Sequence, residues 1–283
     1  MHQGRENDSA CNNCGASLRG RWCHQCGQKR LESRDRQFGH LLGQFAHELF
    51  HSDGKLPSTF GALLFRPGKL TRAYLDGQRV RYLKPIALFL LINLIYFLAP
   101  PLTDFNLDLQ NQLSQPYGEL IQPLVEARAE DRYSPMSAFH DAYDQRVHRI
   151  AKLLIILHLP LLALVLLLLF PRRRMFYAEH FIIATYMFSF FLAVLLIVSA
   201  LLGIVHVSLL AAAGTGLSAQ ASSISQLIFL LLVATGWLVY LRQSYSVGWL
   251  RSLVSLVGWI VGFLLLHVFI YRPIQFFLVL LSL

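Results

Sequence analysis

The stretch KLLIILHLPLLALVLLLLFPRRR, residues 152–174, decides the fold class. Its apolar part approaches the ~20 residues that a helix needs to cross ~30 Å of hydrocarbon. It ends on a proline and three arginines. In lipid every backbone polar group needs a partner within the chain, so a lone run of this kind reads as a helix. Working outward, runs of the same character occupy 83–99, 181–205, 224–241 and 250–270. A further apolar stretch, 274–283, follows Arg272-Pro273 and is too short to cross. It reads as an interfacial or bundle-packed tail. The expected fold is an all-α membrane protein with about five transmembrane helices.

Composition agrees with this. Charged residues make up 14% of the chain, against about 25% in soluble proteins, and their distribution is uneven. Residues 1–84 hold 14 Lys/Arg against 7 Asp/Glu, whereas residues 153–283 hold 6 against 1. A net charge of +9 would point to nucleic acid in a soluble chain. Here the positive-inside rule accounts for it, and nucleic-acid binding is not expected. Arg79, Arg81 and Lys84 precede the first run, Arg172 to Arg174 follow the second, and Arg242 and Arg251 lie between the last two. The opposite side receives 101–152, with 5 Lys/Arg and 8 Asp/Glu, and the uncharged 206–223. With five spans, the N-terminus is expected in the cytoplasm and the C-terminus outside. Residues 1–10 are polar, so no secretory signal is expected there. Within the external loop 101–152, Phe139, Tyr143 and Val147 recur at helical spacing and predict a short helix leading into the second span. A catalytic ectodomain is not expected, because so short a segment buries too little surface alone.

All four cysteines fall within residues 11–26, as Cys11-Asn-Asn-Cys14-Gly15 and Cys23-His-Gln-Cys26-Gly27. Two C-x2-C knuckles place four thiolates around one metal, the ligand set of a structural zinc site. Glycine after each second cysteine lets backbone N–H groups approach sulfur. With four protein ligands the site is closed, hence structural rather than catalytic. Two disulfides are the alternative, and a cytoplasmic location disfavours them; iron is a less common occupant. One structural Zn²⁺ is expected, in a ribbon over 1–30 whose small core Leu18 and Trp22 would assist.

Residues 31–82 form a basic juxtamembrane segment leading to the transmembrane domain at 83–283. Phe38, Leu41, Leu42, Phe45 and Leu49 predict an amphipathic helix that lies on the membrane or against the bundle. A second helix is expected from Pro57 through Leu64, and a third from Lys69 to Leu75, stopping at Gly77. Lys69, Arg72, Arg79, Arg81 and Lys84 are the expected contacts to anionic headgroups or a partner. His47-Glu48-Leu49-Phe50-His51 matches H-E-x-x-H, which in metalloproteases holds zinc through two histidines with glutamate as base. Here His47 and His51 would form a second metal site, with Asp53 or Asp76 as the remaining ligand. The segment lacks the material for a protease fold, so the motif reads as incidental and the chain as not an enzyme.

Within the spans stand Asn93, His158 and His267, and no charged group lies near a centre. Ion-coupled carriers usually place ionisable groups there, so a transporter would have to use the histidines, in a polar cavity around them. Gly258 and Gly262 form a G-x-x-x-G pair, which permits close contact within the bundle or between protomers of a homo-oligomer.

Several of these residues together resemble an uncharacterised bacterial family of multi-pass membrane proteins with an N-terminal zinc ribbon, catalogued as a domain of unknown function. They are the two knuckles with Gln28, Thr59, Leu64-Phe65-Arg66-Pro67-Gly68, Tyr74, Gly77, Arg79, Tyr82 and Pro85. The resemblance is specific over about the first 100 residues and extends to the later spans only in general character. It implies a protein of the bacterial cytoplasmic membrane with a structural zinc ribbon, and it supplies no activity. The H-E-x-x-H histidines are not part of the family pattern. The expected role is a membrane-anchored interaction or scaffold protein whose ribbon contacts a cytoplasmic partner. The rivals are a transporter or transport accessory and a zinc-dependent membrane hydrolase.

Overall fold

The computed structural model describes residues 10–30, 55–98, 105–132, 136–171, 175–213 and 219–283. Among them the regular structure is entirely helical, apart from two isolated β-bridges in the cysteine module. The helices are α1 (Lys55–Phe65), α2 (Pro67–Leu75), α3 (Pro85–Leu98), α4 (Leu109–Leu113), α5 (Gly118–Arg132), α6 (Met136–Leu154), α7 (His158–Leu169), α8 (Tyr177–Ala213), α9 (Ala219–Tyr245), α10 (Trp249–Leu266) and α11 (Arg272–Ser282). The predicted amphipathic helix at 38–49 and the H-E-x-x-H residues His47, Glu48 and His51 lie outside the described residues.

Four helical segments are long and apolar enough to cross a membrane: Met136–Leu169, Tyr177–Val205, Gln226–Tyr245 and Trp249–Ser282. The remaining expected span is α3, a shorter apolar helix of 14 residues. At 1.5 Å per residue it reaches about 21 Å, less than the hydrocarbon thickness. It packs against α8 and buries Ile86, Leu88, Phe89, Ile92 and Tyr96.

The first half of α8 is the axis of the bundle. From Phe181 to Phe190 every residue is buried, and α8 touches α1, α2, α3, α7 and α9. A helix apolar all round is suited to that place. The peripheral helices turn large apolar side chains outward, including Leu164, Leu168, Leu230, Leu231, Leu253, Val254, Val257 and Val261. Water would penalise so much exposed apolar surface, whereas lipid does not.

A second apolar core lies at one end of the bundle. Leu109, Ile121, Val125, Ala129, Phe139, Tyr143 and Val147 of α4, α5 and α6 meet Phe276, Val279 and Leu283 of the C-terminal tail. The expected helix through Phe139, Tyr143 and Val147 is present as α6, which runs into α7 through a short 3-10 turn. The periodicity of the loop does not reveal α5. A segment of this size is too small to stand alone, and α11 supplies the apolar surface it lacks.

The tail is thus bundle-packed. The Arg272-Pro273 break expected after 270 is bridged by a π-turn over His267–Tyr271, in which the Arg272 N–H bonds to the His267 carbonyl. Proline removes one N–H and crowds the carbonyl four residues back. A locally widened turn relieves that crowding and keeps the helix continuous.

α1 and α2 pack on the bundle end opposite this cap, against α8 and α9. Leu63, Leu70 and Tyr74 join the main core. The chain breaks at Arg66 and stops at Gly77 (φ +97°), as the spacing predicts. Leu83, at the entry to α3, has both backbone groups satisfied by side chains. Its N–H donates to Thr59 Oγ1 at 3.0 Å, and its carbonyl accepts from Tyr186 Oη at 3.0 Å.

Candidate metal centre and its mooring on the bundle

The two C-x2-C segments fold as near-identical knuckles. In the first, Cys11 N–H donates to the Ala16 carbonyl (2.7 Å) and Gly15 N–H to the Cys11 carbonyl (2.8 Å). In the second, Cys23 N–H donates to the Gln28 carbonyl (2.9 Å) and Gly27 N–H to that of Cys23 (2.9 Å). Both turns close through a left-handed residue, Gly15 (φ +78°) and Gly27 (φ +69°). A side chain there would be strained, which is why glycine stands at both places.

The turns bring four Sγ atoms within 4.8 Å of one another, with Cys11–Cys26 and Cys14–Cys23 at 3.5 Å. A disulfide needs about 2.05 Å, and all four thiols are free. A tetrahedron with metal–sulfur bonds of about 2.3 Å has edges of about 3.8 Å, so the four thiols fit one metal ion. Backbone N–H groups of Cys26 and Gln25 bring the Cys23 thiol down to about 6. At Cys14 a bond from the Ala16 backbone also lowers the pKa, but burial and the neighbouring thiols outweigh it and push the group up to about 12. Four thiolates this close repel one another unless a cation sits among them. Cys11 and Cys23 are buried, Cys26 is half-buried and Cys14 is exposed. The expected small core is only partly realised. Leu18 is half-buried, but Trp22 is 64% exposed.

The module is tied to the bundle by Gln28, buried at 6% exposure directly after the second knuckle. Its Nε2 donates to the Gly77 carbonyl at 2.6 Å, and its Oε1 accepts from the Arg79 N–H at 3.1 Å. The amide thus pairs with the backbone as a neighbouring strand would. Residue spacing carries no sign of this bond, although Gln28, Gly77 and Arg79 all stand in the residue set that carries the family resemblance.

The five expected headgroup cations part company here. Lys69, Arg72 and Arg81 are exposed, whereas Arg79 and Lys84 are half-buried. The Arg79 guanidinium lies over the Tyr74 ring (5.2 Å) and that of Arg81 over Tyr82 (5.5 Å). Arg72 pairs with Asp76 at 3.5 Å and donates to Ser246 Oγ at 3.2 Å. Asp76, one of the two acids considered beside His47 and His51, is therefore engaged by its own helix.

His158 and His267 do meet, with Nε2 to Nδ1 at 3.1 Å. Among the described residues their ring neighbours are Phe105, Phe188, Phe263 and Tyr271. The surroundings are thus packed aromatic rings, unlike the polar cavity expected of a transport route. The G-x-x-x-G pair is also used inside the chain. A Cβ on Gly258 would meet Leu169 at 2.6 Å, and one on Gly262 would meet Val165 at 2.7 Å. α7 therefore occupies the groove that a second protomer would need.

A family model described as a protein of unknown function (DUF3667) matches residues 53–97, which is 45 of the 283 residues. The match spans α1, α2 and nearly all of α3. It includes Thr59, Gly77 and Arg79 but not the cysteine module. It supports the uncharacterised family that the sequence resembles. No curated protein and no solved structure matches the chain.

Proposed function

We propose that this chain is a membrane-anchored interaction protein of the bacterial cytoplasmic membrane. Its ribbon holds one structural zinc ion and presents a rigid surface to a cytoplasmic protein. Zinc is favoured over iron because a closed set of four thiolates without an open position is its usual structural environment. The loop charges support a cytoplasmic N-terminus and an external C-terminus. Lys69, Arg72, Arg79, Arg81 and Lys84 keep this end near anionic headgroups. The observation that carries the reading is Trp22, 64% exposed beside the second knuckle of a module whose four thiols gather at one point. Exposed tryptophans are the residues that most often anchor protein interfaces.

A photo-crosslinking side chain placed at position 22 tests this in cells. A discrete adduct is expected, and it should disappear when Cys23→Ser removes a metal ligand. Absence of any adduct at 22, or an adduct indifferent to Cys23→Ser, would refute the partner. No catalytic role is assigned. A second metal ion per chain, lost on His47→Ala, would overturn that assignment and revive the hydrolase.

A further inference from the structure

Beyond the ribbon, a cleft opens where α2 packs against the end of α9. Gly68, Lys69 and Arg72 line one wall, and Arg242, Gln243, Ser246 and Val247 line the other. It is shallow and widely open, with a volume of about 430 Å³, so it suits a headgroup approaching from the surface and not a ligand enclosed by the protein.

Among the described residues the lining carries three cations and no carboxylate. Asp76, outside the lining, takes the Nε edge of Arg72 at 3.5 Å on the exposed side, while Nη1 donates to Ser246 Oγ at 3.2 Å. The Arg72 fork is therefore held on both edges. Arg242 is held differently, its guanidinium 4.1 Å over the Trp249 ring. Orienting an arginine before the ligand arrives reduces the entropy lost on binding, and its planar fork suits phosphate oxygens. Ser246 follows the end of α9 in the left-handed region (φ +50°), where the Val247 N–H closes the helix on the Arg242 carbonyl at 3.2 Å. Gln243 packs against Gly68, where any side chain would collide with it, and this close approach brings α2 and α9 together at the cleft floor. Trp249, 57% exposed, is of the type that gathers at headgroup level.

We propose that this cleft is a phosphate-binding site formed by Lys69, Arg72, Arg242 and Ser246, with the phosphate of an anionic lipid headgroup as occupant. It deepens the headgroup contact proposed above by giving it a defined site, and it does not depend on the ribbon having a partner. Free phosphate shares the chemistry, and the experiment separates the two sources.

Purified full-length protein in neutral detergent is examined by native mass spectrometry with phosphatidylglycerol, with phosphatidylcholine, and with phosphatidylglycerol plus inorganic phosphate. Retention of phosphatidylglycerol at least about tenfold above phosphatidylcholine is expected. It should fall to the phosphatidylcholine level in Arg72→Gln/Arg242→Gln, fall several-fold in Lys69→Gln, and stay unchanged in Arg149→Gln, an exposed cation of α6 outside the cleft. Arg72→Lys/Arg242→Lys, which restores charge without the fork, should recover only part of it. Lys69 is exposed, so Lys69→Gln disturbs no packing and its loss of lipid cannot come from misfolding. Displacement of the lipid by millimolar phosphate would make free phosphate the occupant and overturn the headgroup assignment. Equal weakening by Arg149→Gln and Lys69→Gln would overturn the site but leave general surface attraction standing. No preference for phosphatidylglycerol would sink both.

Discussion

Gln28→Ala is the most informative perturbation of this chain. It deletes two hydrogen bonds, to the Gly77 carbonyl and from the Arg79 N–H, at a buried position. Each is worth about 1 kcal/mol net, so docking of the ribbon should weaken by about 2 kcal/mol, or roughly 30-fold. The metal contributes far more, since structural zinc supplies ~10–16 kcal/mol in comparable small modules. The ribbon of Gln28→Ala should therefore stay folded and metal-loaded but detach from the bundle. Hydrogen–deuterium exchange should rise at Gly77 to Arg79, and metal content should remain one ion per chain. Affinity measured by chelator competition should drop by at most that roughly 30-fold factor. Gln28→Glu should behave worse than alanine, because a carboxylate accepts from Arg79 but faces the Gly77 carbonyl without a proton to donate. Unchanged exchange at Gly77 to Arg79 in both variants would refute the mooring. Loss of the metal at saturating concentration would refute the separation between metal folding and docking.

Serine at Cys11 or Cys23, or strong chelation, should expose residues 10–30 to proteolysis while the helical content measured by circular dichroism hardly changes. Alanine at Gly236, whose Cβ would run into the Phe190 ring, should destabilise by ~1–3 kcal/mol through overpacking; Gly203, with open space around it, should tolerate alanine in the same thermal-shift assay. Gly262→Ala should cost more than Gly258→Ala, because Val165 is stiff at χ1 whereas the end of Leu169 can rotate away. Thr59→Val should cost ~1–3 kcal/mol by orphaning the Leu83 N–H, and Tyr186→Phe ~1 kcal/mol by leaving the Leu83 carbonyl without its donor; equal stability of both variants and wild type would show that the entry to α3 is held some other way.

Part of this molecule is legible in the order of its residues, because the physics involved is local. Apolar run length marks where helices can lie in lipid, and C-x2-C-G spacing marks a metal knuckle, since the glycine needs only its own φ. The Gly77 stop of α2 follows from the same short-range rules, although the helix begins at Pro67, two residues before the expected Lys69. Other features depend on residues far apart in sequence, and no periodicity reports them. α8 is the central helix only because α1, α2, α3, α7 and α9 all pack on its faces. The helices α4 to α6 gain a core only where α11 arrives through a π-turn that carries the chain past Arg272-Pro273. G-x-x-x-G licenses a close contact without naming the helix that fills it. Gln28 and Ser246 read as ordinary polar residues until the fold sets one beside Gly77 and the other beside Arg72. The sequence alone thus determined the long apolar helices and the C-x2-C-G turns, each set by neighbours within a few residues. Tertiary structure decided which helix is central, where the ribbon is moored and which cations converge, because those are contacts between segments that the chain keeps far apart.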